Sequence, residues 1–147
     1  CDISVVPVVV PFEDYNQEPD AKTLSQYSDG RPNIIFVGRI APNKCQEDVI
    51  KAFCLYKKLY DADARLILVG SYQGMETYYE QLQAYVKELG GQDVIFTGHI
   101  PFNQILAFYR TADAFLCMSE HEGFCIPLLE AMHFQVPIVA ADHAAVG

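Results

Sequence analysis

Glu122 and Glu130 are separated by seven intervening residues in Ser119-Glu120-His121-Glu122-Gly123-Phe124-Cys125-Ile126-Pro127-Leu128-Leu129-Glu130-Ala131-Met132. The apolar run Ala114-Phe115-Leu116-Cys117-Met118 before them reads as a buried strand, and the spacing after them predicts a helix over 124–134. In an open parallel α/β sheet, ligands bind where strands end at their carboxyl edge and helices begin. Glu122 therefore falls in the loop, beside Gly123, where backbone can approach a ligand closely. Glu130 falls roughly two turns into the helix, at ~1.5 Å rise per residue. Ionised carboxylates accept hydrogen bonds strongly, so such a pair could hold two hydroxyl-bearing ends of one elongated ligand. Taken alone, each glutamate reads equally well as a solvated charge.

A second strand-to-helix loop carries the opposite charge. The apolar run Asn33–Val37 ends in Gly38-Arg39-Ile40-Ala41-Pro42-Asn43-Lys44, and the next helix is predicted to begin near Asn43. A helix N-terminus offers unpaired N–H groups and the positive end of the dipole. A guanidinium fork and an ammonium beside it suit a diphosphate. The competing reading makes Arg39 and Lys44 solvated loop cations. A G-x-G-x-x-G turn is absent, which argues against an ordinary dinucleotide fingerprint. Gly98-His99 closes another apolar run and reads as a loop at the same sheet edge, while His121 and His133 read as ordinary loop and helix residues.

Apolar runs alternate with helix-like segments along most of the chain. Strands are predicted at 33–37, 65–69, 94–97, 114–118 and 137–140. Ile3–Val10, broken by Pro7 and closed by Pro11, reads as an edge strand or connection. Helices are predicted at 46–60, 75–89, 102–110 and 124–134, with a short one near Leu24. Met75, Tyr78, Tyr79, Leu82, Tyr85, Val86 and Leu89 follow the 3.6-residue period and read as core, and Gly90-Gly91 ends that helix. The pattern predicts a doubly wound, Rossmann-like α/β domain of about six parallel strands, covered on both faces.

Composition narrows the partners. A 51% hydrophobic content is too high for disorder as the main state, and the net charge of −9 lacks the basic face a nucleic-acid clamp needs. No apolar stretch reaches membrane-spanning length. Five cysteines without a C-x-x-C pair suggest buried thiols in a reducing, cytosolic compartment. The chain runs from Cys1 to Gly147 and reads as an excised domain.

Together these pieces resemble the C-terminal, nucleotide-sugar-binding domain of retaining GT-B glycosyltransferases of family four, the glycosyl transferases group 1. The matching segments are FVGRIAPNK at 36–44, RLILVG at 65–70, VIFTGHI at 94–100, YRTADAFLCMSEHEGFCIPLLEAM at 109–132 and PIVAA at 137–141. The resemblance implies a crossover strand and linker over 1–32 and a donor-binding domain over 33–147, truncated at both ends. It implies that Gly38, Arg39 and Lys44 bind the donor diphosphate, Arg39 and Lys44 as catalytic cations that replace a metal. Catalytic Glu122, with the backbone near Gly123, Phe124 and Cys125, would hold the donor sugar. Glu130 would hold the ribose hydroxyls, and the Gly98-His99-Ile100 backbone would face the nucleobase. The chain departs from the family pattern at Cys125 and Gln135, where glycine is frequent, and Cys125 adds a side chain near the sugar.

The implied activity is transfer of a sugar from a nucleoside diphosphate sugar to a glycan, lipid-linked or small-molecule acceptor, plausibly in cell-surface polysaccharide synthesis. It needs no cofactor and no metal. The implied partners are the nucleotide sugar and an N-terminal acceptor-binding domain of the same protein, with no nucleic acid and no direct membrane contact. The implied location is cytoplasmic, with the full-length protein able to work at the inner face of the membrane. The fragment alone is expected to be inactive. Two alternatives stay open: another GT-B enzyme, such as a nucleotide-sugar epimerase or a phosphorylase, and a non-enzymatic doubly wound module. A receiver module would need acids where this chain carries Gly38-Arg39.

Overall fold

Five short, largely apolar runs become five parallel strands, three of them closed by Gly38, Gly70 and Gly98. The computed structural model describes residues 12–118 and 126–140. A 3₁₀ turn, Phe12–Asn16, precedes helix α1, Ala21–Tyr27. Asp20 caps α1, its carboxylate accepting from the Thr23 N–H at 3.0 Å and the Thr23 hydroxyl at 2.6 Å. There follow β1 Asn33–Val37, α2 Gln46–Leu59, β2 Arg65–Val69, α3 Glu76–Glu88, β3 Val94–Gly98, α4 Phe102–Thr111, β4 Ala114–Cys117, α5 Ile126–His133 and β5 Ile138–Ala140. Gly90, in the left-handed conformation at φ 65°, ends α3 as its sequence position implied.

The sheet order is β3-β2-β1-β4-β5, all parallel. The chain winds outward through β1, β2 and β3, then crosses back to β4 and β5. The order therefore reverses between β1 and β4, and a sheet of this kind opens a crevice outside the strand ends at that point. All five residues of central β2 are buried, whereas edge strand β3 is half-buried throughout. Val49, Ile50 and Phe53 of α2 pack on one side, and Phe108 and Tyr109 of α4 join the same core cluster.

The amino edge of the sheet is locked by a polar network. Arg65, the first residue of β2, donates to both oxygens of Asp29 at 2.8 and 3.0 Å and to Asn33 Oδ1 at 2.6 Å. Its guanidinium also lies 4.6 Å from the centre of the Tyr27 ring. Asn33 in turn donates to the carbonyls of Tyr27 and Thr111. The bidentate pair ties the loop before β1 to the start of β2.

Three expectations are corrected or fall elsewhere. The sixth strand expected at 3–10 lies outside the described residues. The helix expected to start near Asn43 does not. Pro42–Lys44 form a single 3₁₀ turn, Cys45 adopts φ 53°, and α2 starts at Gln46. A left-handed residue breaks helical hydrogen bonding, so the turn and the helix remain separate. Both faces of the sheet carry helices, as expected, but one of them is covered only in part among the described residues. Right-handed crossovers place α2 and α3 on one face and α4 and α5 on the other, and α2 and α3 cover only β1–β3. Ile34, Leu116 and Val139 line an apolar groove of about 380 Å³ beside α2.

Candidate functional site

Backbone hydrogen bonds hold the loop after β1 to the end of β2 and the loop that follows it. Gly38 N–H donates to the Val69 carbonyl at 2.9 Å, and Ile40 N–H donates to the Ser71 carbonyl at 3.0 Å. Gly70 makes this approach possible. A Cβ built at Gly70 would sit 1.8 Å from the Gly38 oxygen, so only glycine fits. Arg39 lies between the two pairing points, and its exposed guanidinium donates to the Gln73 carbonyl at 3.2 Å. With one hydrogen bond among the described residues, the five-donor fork keeps donors that a ligand could use. Lys44 ends the 3₁₀ turn, half-buried, five residues on.

Gln46 was not singled out from sequence and braces this loop. It is fully buried, donates to the Arg39 carbonyl at 3.0 Å, and accepts from the Tyr78 hydroxyl at 3.2 Å. That hydroxyl also donates to Glu47. The first turn of α2 carries Glu47 and Asp48, which already compensate the positive end of its dipole. The positive potential at this edge therefore comes chiefly from Arg39 and Lys44, and less from the helix than the sequence implied.

The β3 end stands beside the same loop. Gly98 has φ 67°, and a Cβ there would meet the Tyr72 ring at 3.5 Å. Tyr72 stacks on Tyr79 with ring centres 3.9 Å apart. Ser71, Tyr72, Gln73, Glu76, Gly98 and His99 line an open depression of about 310 Å³. Gln73 thus touches both the depression and the Arg39 guanidinium. His99 is exposed, and Ile100 packs half-buried on the core.

Glu130 sits in α5 at 8% exposure, which excludes the reading as a solvated charge. Its carboxylate accepts from the Tyr109 hydroxyl at 3.4 Å and from the Tyr15 hydroxyl. Tyr15 reaches it from the 3₁₀ turn that precedes the domain, and neither tyrosine was singled out from sequence. Burial pushes the Glu130 carboxyl up from its ordinary value, and the two hydroxyls offset part of that rise. A carboxyl raised in the folded state stabilises the protein below its unfolded value and loses that contribution as pH rises through the folded one. Hence Glu130→Gln should fold as stably as the parent chain near pH 4 and more stably from about 4.5 upward. Urea unfolding at several pH values measures this, and an equal gap at every pH would contradict it. Asp14 also acts on Tyr15, and the His133 ring lies 5.9 Å from that of Tyr15.

Glu122, Gly123, Phe124 and Cys125 lie outside the described residues. What is described is the departure point. β1 and β4 pair in parallel, so Gly38-Arg39 and Met118 leave the sheet at the same edge, on neighbouring strands. That is the reversal point of the sheet order. No hydrogen bond joins Glu130 to Arg39 among the described residues.

The glycosyl transferases group 1 family model matches residues 19–146. The chain belongs to that family. Among curated relatives of this glycosyl transferases group 1 chain, a GDP-mannose-dependent alpha-mannosyltransferase of Mycolicibacterium smegmatis is 33% identical over 114 residues. That match covers 78% of this chain and 26% of the relative. The mannosylfructose-phosphate synthase of Agrobacterium fabrum is 32% identical, over 75% of this chain and 25% of its own length. The chain thus spans about a quarter of the length of these curated relatives. The crystal structure of the C-terminal domain of the group 1 glycosyl transferase LpcC from Francisella tularensis superposes with a TM-score of 0.71 at 29% identity, covering 87% of this chain and 69% of that one. Anabaena HepE in complex with UDP-glucose superposes at 0.74 with 23% identity, over 88% of this chain and 36% of that one, a likeness of fold alone. The fold is the Rossmann-like α/β arrangement of the C-terminal domain of GT-B glycosyltransferases. Among the described residues, no helix is long and apolar enough to cross a membrane.

Proposed function

We propose that this chain is the donor-binding domain of a retaining glycosyltransferase that uses a nucleoside diphosphate sugar. The acceptor is a glycan, a lipid-linked saccharide or a small molecule, with cell-surface polysaccharide synthesis in the cytoplasm as the setting. One observation carries the reading: an exposed Arg39, with Lys44 in the following turn, at the point where the strand order reverses. When the bond from the sugar C1 to the diphosphate oxygen breaks, charge accumulates on the leaving diphosphate. Fixed cations aimed at that charge lower the barrier without having to reorganise. Arg39 supplies a bidentate fork and Lys44 a point charge, in place of a metal ion. The acceptor site belongs to an N-terminal domain of the same protein. The names of the M. smegmatis and A. fabrum relatives support a sugar-transfer role.

The two glutamates divide the donor between them. Glu130 takes the ribose hydroxyls, and Glu122, beside Gly123, Phe124 and Cys125, takes the sugar. Glu130→Gln should therefore weaken a nucleoside diphosphate ~10-fold, the loss of one charge-assisted hydrogen bond. Glu122→Gln should leave the diphosphate within ~2-fold and weaken only the sugar-bearing donor. Calorimetric titration of both ligands into both variants checks this, and equal losses for the bare diphosphate would overturn the division. Glu130→Gln is also the variant expected to gain stability at neutral pH, so a loss of affinity in it cannot be charged to unfolding.

A further inference from the structure

We propose that the depression beside Arg39 selects a guanine base, with Glu76 as the residue that makes the choice. The inference rests on the reading of the carboxyl edge as a nucleotide site and specifies which nucleotide it takes. Three observations carry it. First, Gln73 lines the depression while its carbonyl accepts from Arg39, so any diphosphate held by Arg39 has the depression as its neighbour. Second, the depression is polar at one side and aromatic at another. Tyr72 is clamped by its stack on Tyr79 and lies against Gly98, giving a fixed ring beside a backbone that carries no side chain. Third, Glu76 is the one acid among the lining residues, and its placement is fixed. One carboxylate oxygen accepts from the Gly74 N–H at 3.1 Å.

Hydrogen bonds from its own backbone N–H and from that of Gly74 hold the Glu76 carboxyl below its ordinary value, so it is ionised at neutral pH. An ionised carboxylate only accepts hydrogen bonds. It repels phosphate, which orients the nucleotide with its diphosphate at Arg39 and its base over Glu76. It also ranks the bases by the donors they present. Guanine offers two adjacent donors, the N1–H and the 2-amino group. Uracil offers one N–H between two carbonyl oxygens, and both oxygens face the carboxylate unfavourably. Cytosine and adenine each offer an amino group beside a bare ring nitrogen. Only guanine matches a carboxylate without an opposed lone pair. Stacking on Tyr72 tolerates any base and adds no discrimination.

The test is calorimetric titration of GDP, IDP and UDP into the 147-residue chain and into its Glu76→Gln variant. IDP keeps the N1–H and lacks the 2-amino group. GDP should bind the parent chain ~10-fold or more tightly than UDP, as expected for a charge-assisted pair, with IDP between them. In Glu76→Gln, GDP should fall toward UDP while UDP changes by less than ~2-fold. The exposed position of Glu76 leaves the core intact, and the GDP–IDP difference on the parent chain needs no variant. If UDP binds as tightly as GDP, or the GDP preference survives in Glu76→Gln, guanine selection is wrong while the nucleotide site stands. If none of the three binds, the nucleotide site itself is wrong, and the selection falls with it.

Discussion

Gly70→Ala should unfold at markedly lower urea and lose nucleoside diphosphate binding. The added methyl carbon would sit 1.8 Å from the Gly38 oxygen and 2.7 Å from its carbonyl carbon. Both partners are backbone, so no side-chain rotation relieves the overlap. The β1 and β2 ends must separate, breaking the Gly38–Val69 and Ile40–Ser71 hydrogen bonds that frame Arg39. Overpacking costs ~1–3 kcal/mol even where side chains can yield, so a loss of ~3 kcal/mol is expected here. Gly30 is the comparison. It has φ 86° with no atom within 4 Å of an added Cβ, so Gly30→Ala should cost only the ~1–2 kcal/mol of a strained dihedral and leave binding unchanged. Equal stability losses in the two variants, with binding retained in both, would show that the β1–β2 contact does not set the site.

Arg65→Met should be the most damaging change at the other edge of the sheet. It removes the bidentate pair with Asp29 and strands Asn33 Oδ1 in the interior, while the Tyr27 carbonyl keeps its bond from Asn33. The Asp29 side chain is 39% exposed, so loss of the ion pair itself costs little, and the cost lies chiefly in leaving buried Asn33 Oδ1 unpaired, ~1–3 kcal/mol. Arg65→Lys should recover little, since an ammonium cannot reproduce two parallel hydrogen bonds. The Arg65 guanidinium holds the Asp29 carboxyl below its ordinary 3.8. The pair's contribution is therefore present above that pH and fades as pH falls through the folded value. Urea unfolding should show the gap between Arg65→Met and the parent chain narrowing below 3.8. A gap that holds constant with pH would remove the ion pair from the account. Arg65→Met should leave the carboxyl edge, and hence ligand affinity, nearly unchanged.

Much of the fold was legible because its signals are local. β1 and β2 carry the predicted bounds, since each is a five-residue apolar run closed by glycine. The spacing of α3 and its Gly90 stop are equally local. The start of α2 at Gln46 matches the helix read over 46–60, but the left-handed Cys45 that separates it from the Pro42–Lys44 turn was not legible, because nothing in its type announces that backbone. Arg39 and Lys44 were legible as cations at a strand end. Their supports were not: Gln46 reads as an ordinary helix residue until Arg39's carbonyl is seen to lie on it, and Gly70 until the Gly38 oxygen is seen beside it. The burial of Glu130 depends on Tyr15, more than a hundred residues earlier in the chain, and no periodicity carries that information.

The central claim is that Arg39 and Lys44 hold a diphosphate at the reversal point of the sheet. Calorimetric titration of GDP and UDP into the parent chain, Arg39→Ala and Lys44→Ala tests it most directly, with urea midpoints confirming that each variant is folded. Either variant should bind ~10-fold or more weakly, the loss of one charge-assisted hydrogen bond. Unchanged affinity in both folded variants would contradict the assignment and, with it, the donor-binding role.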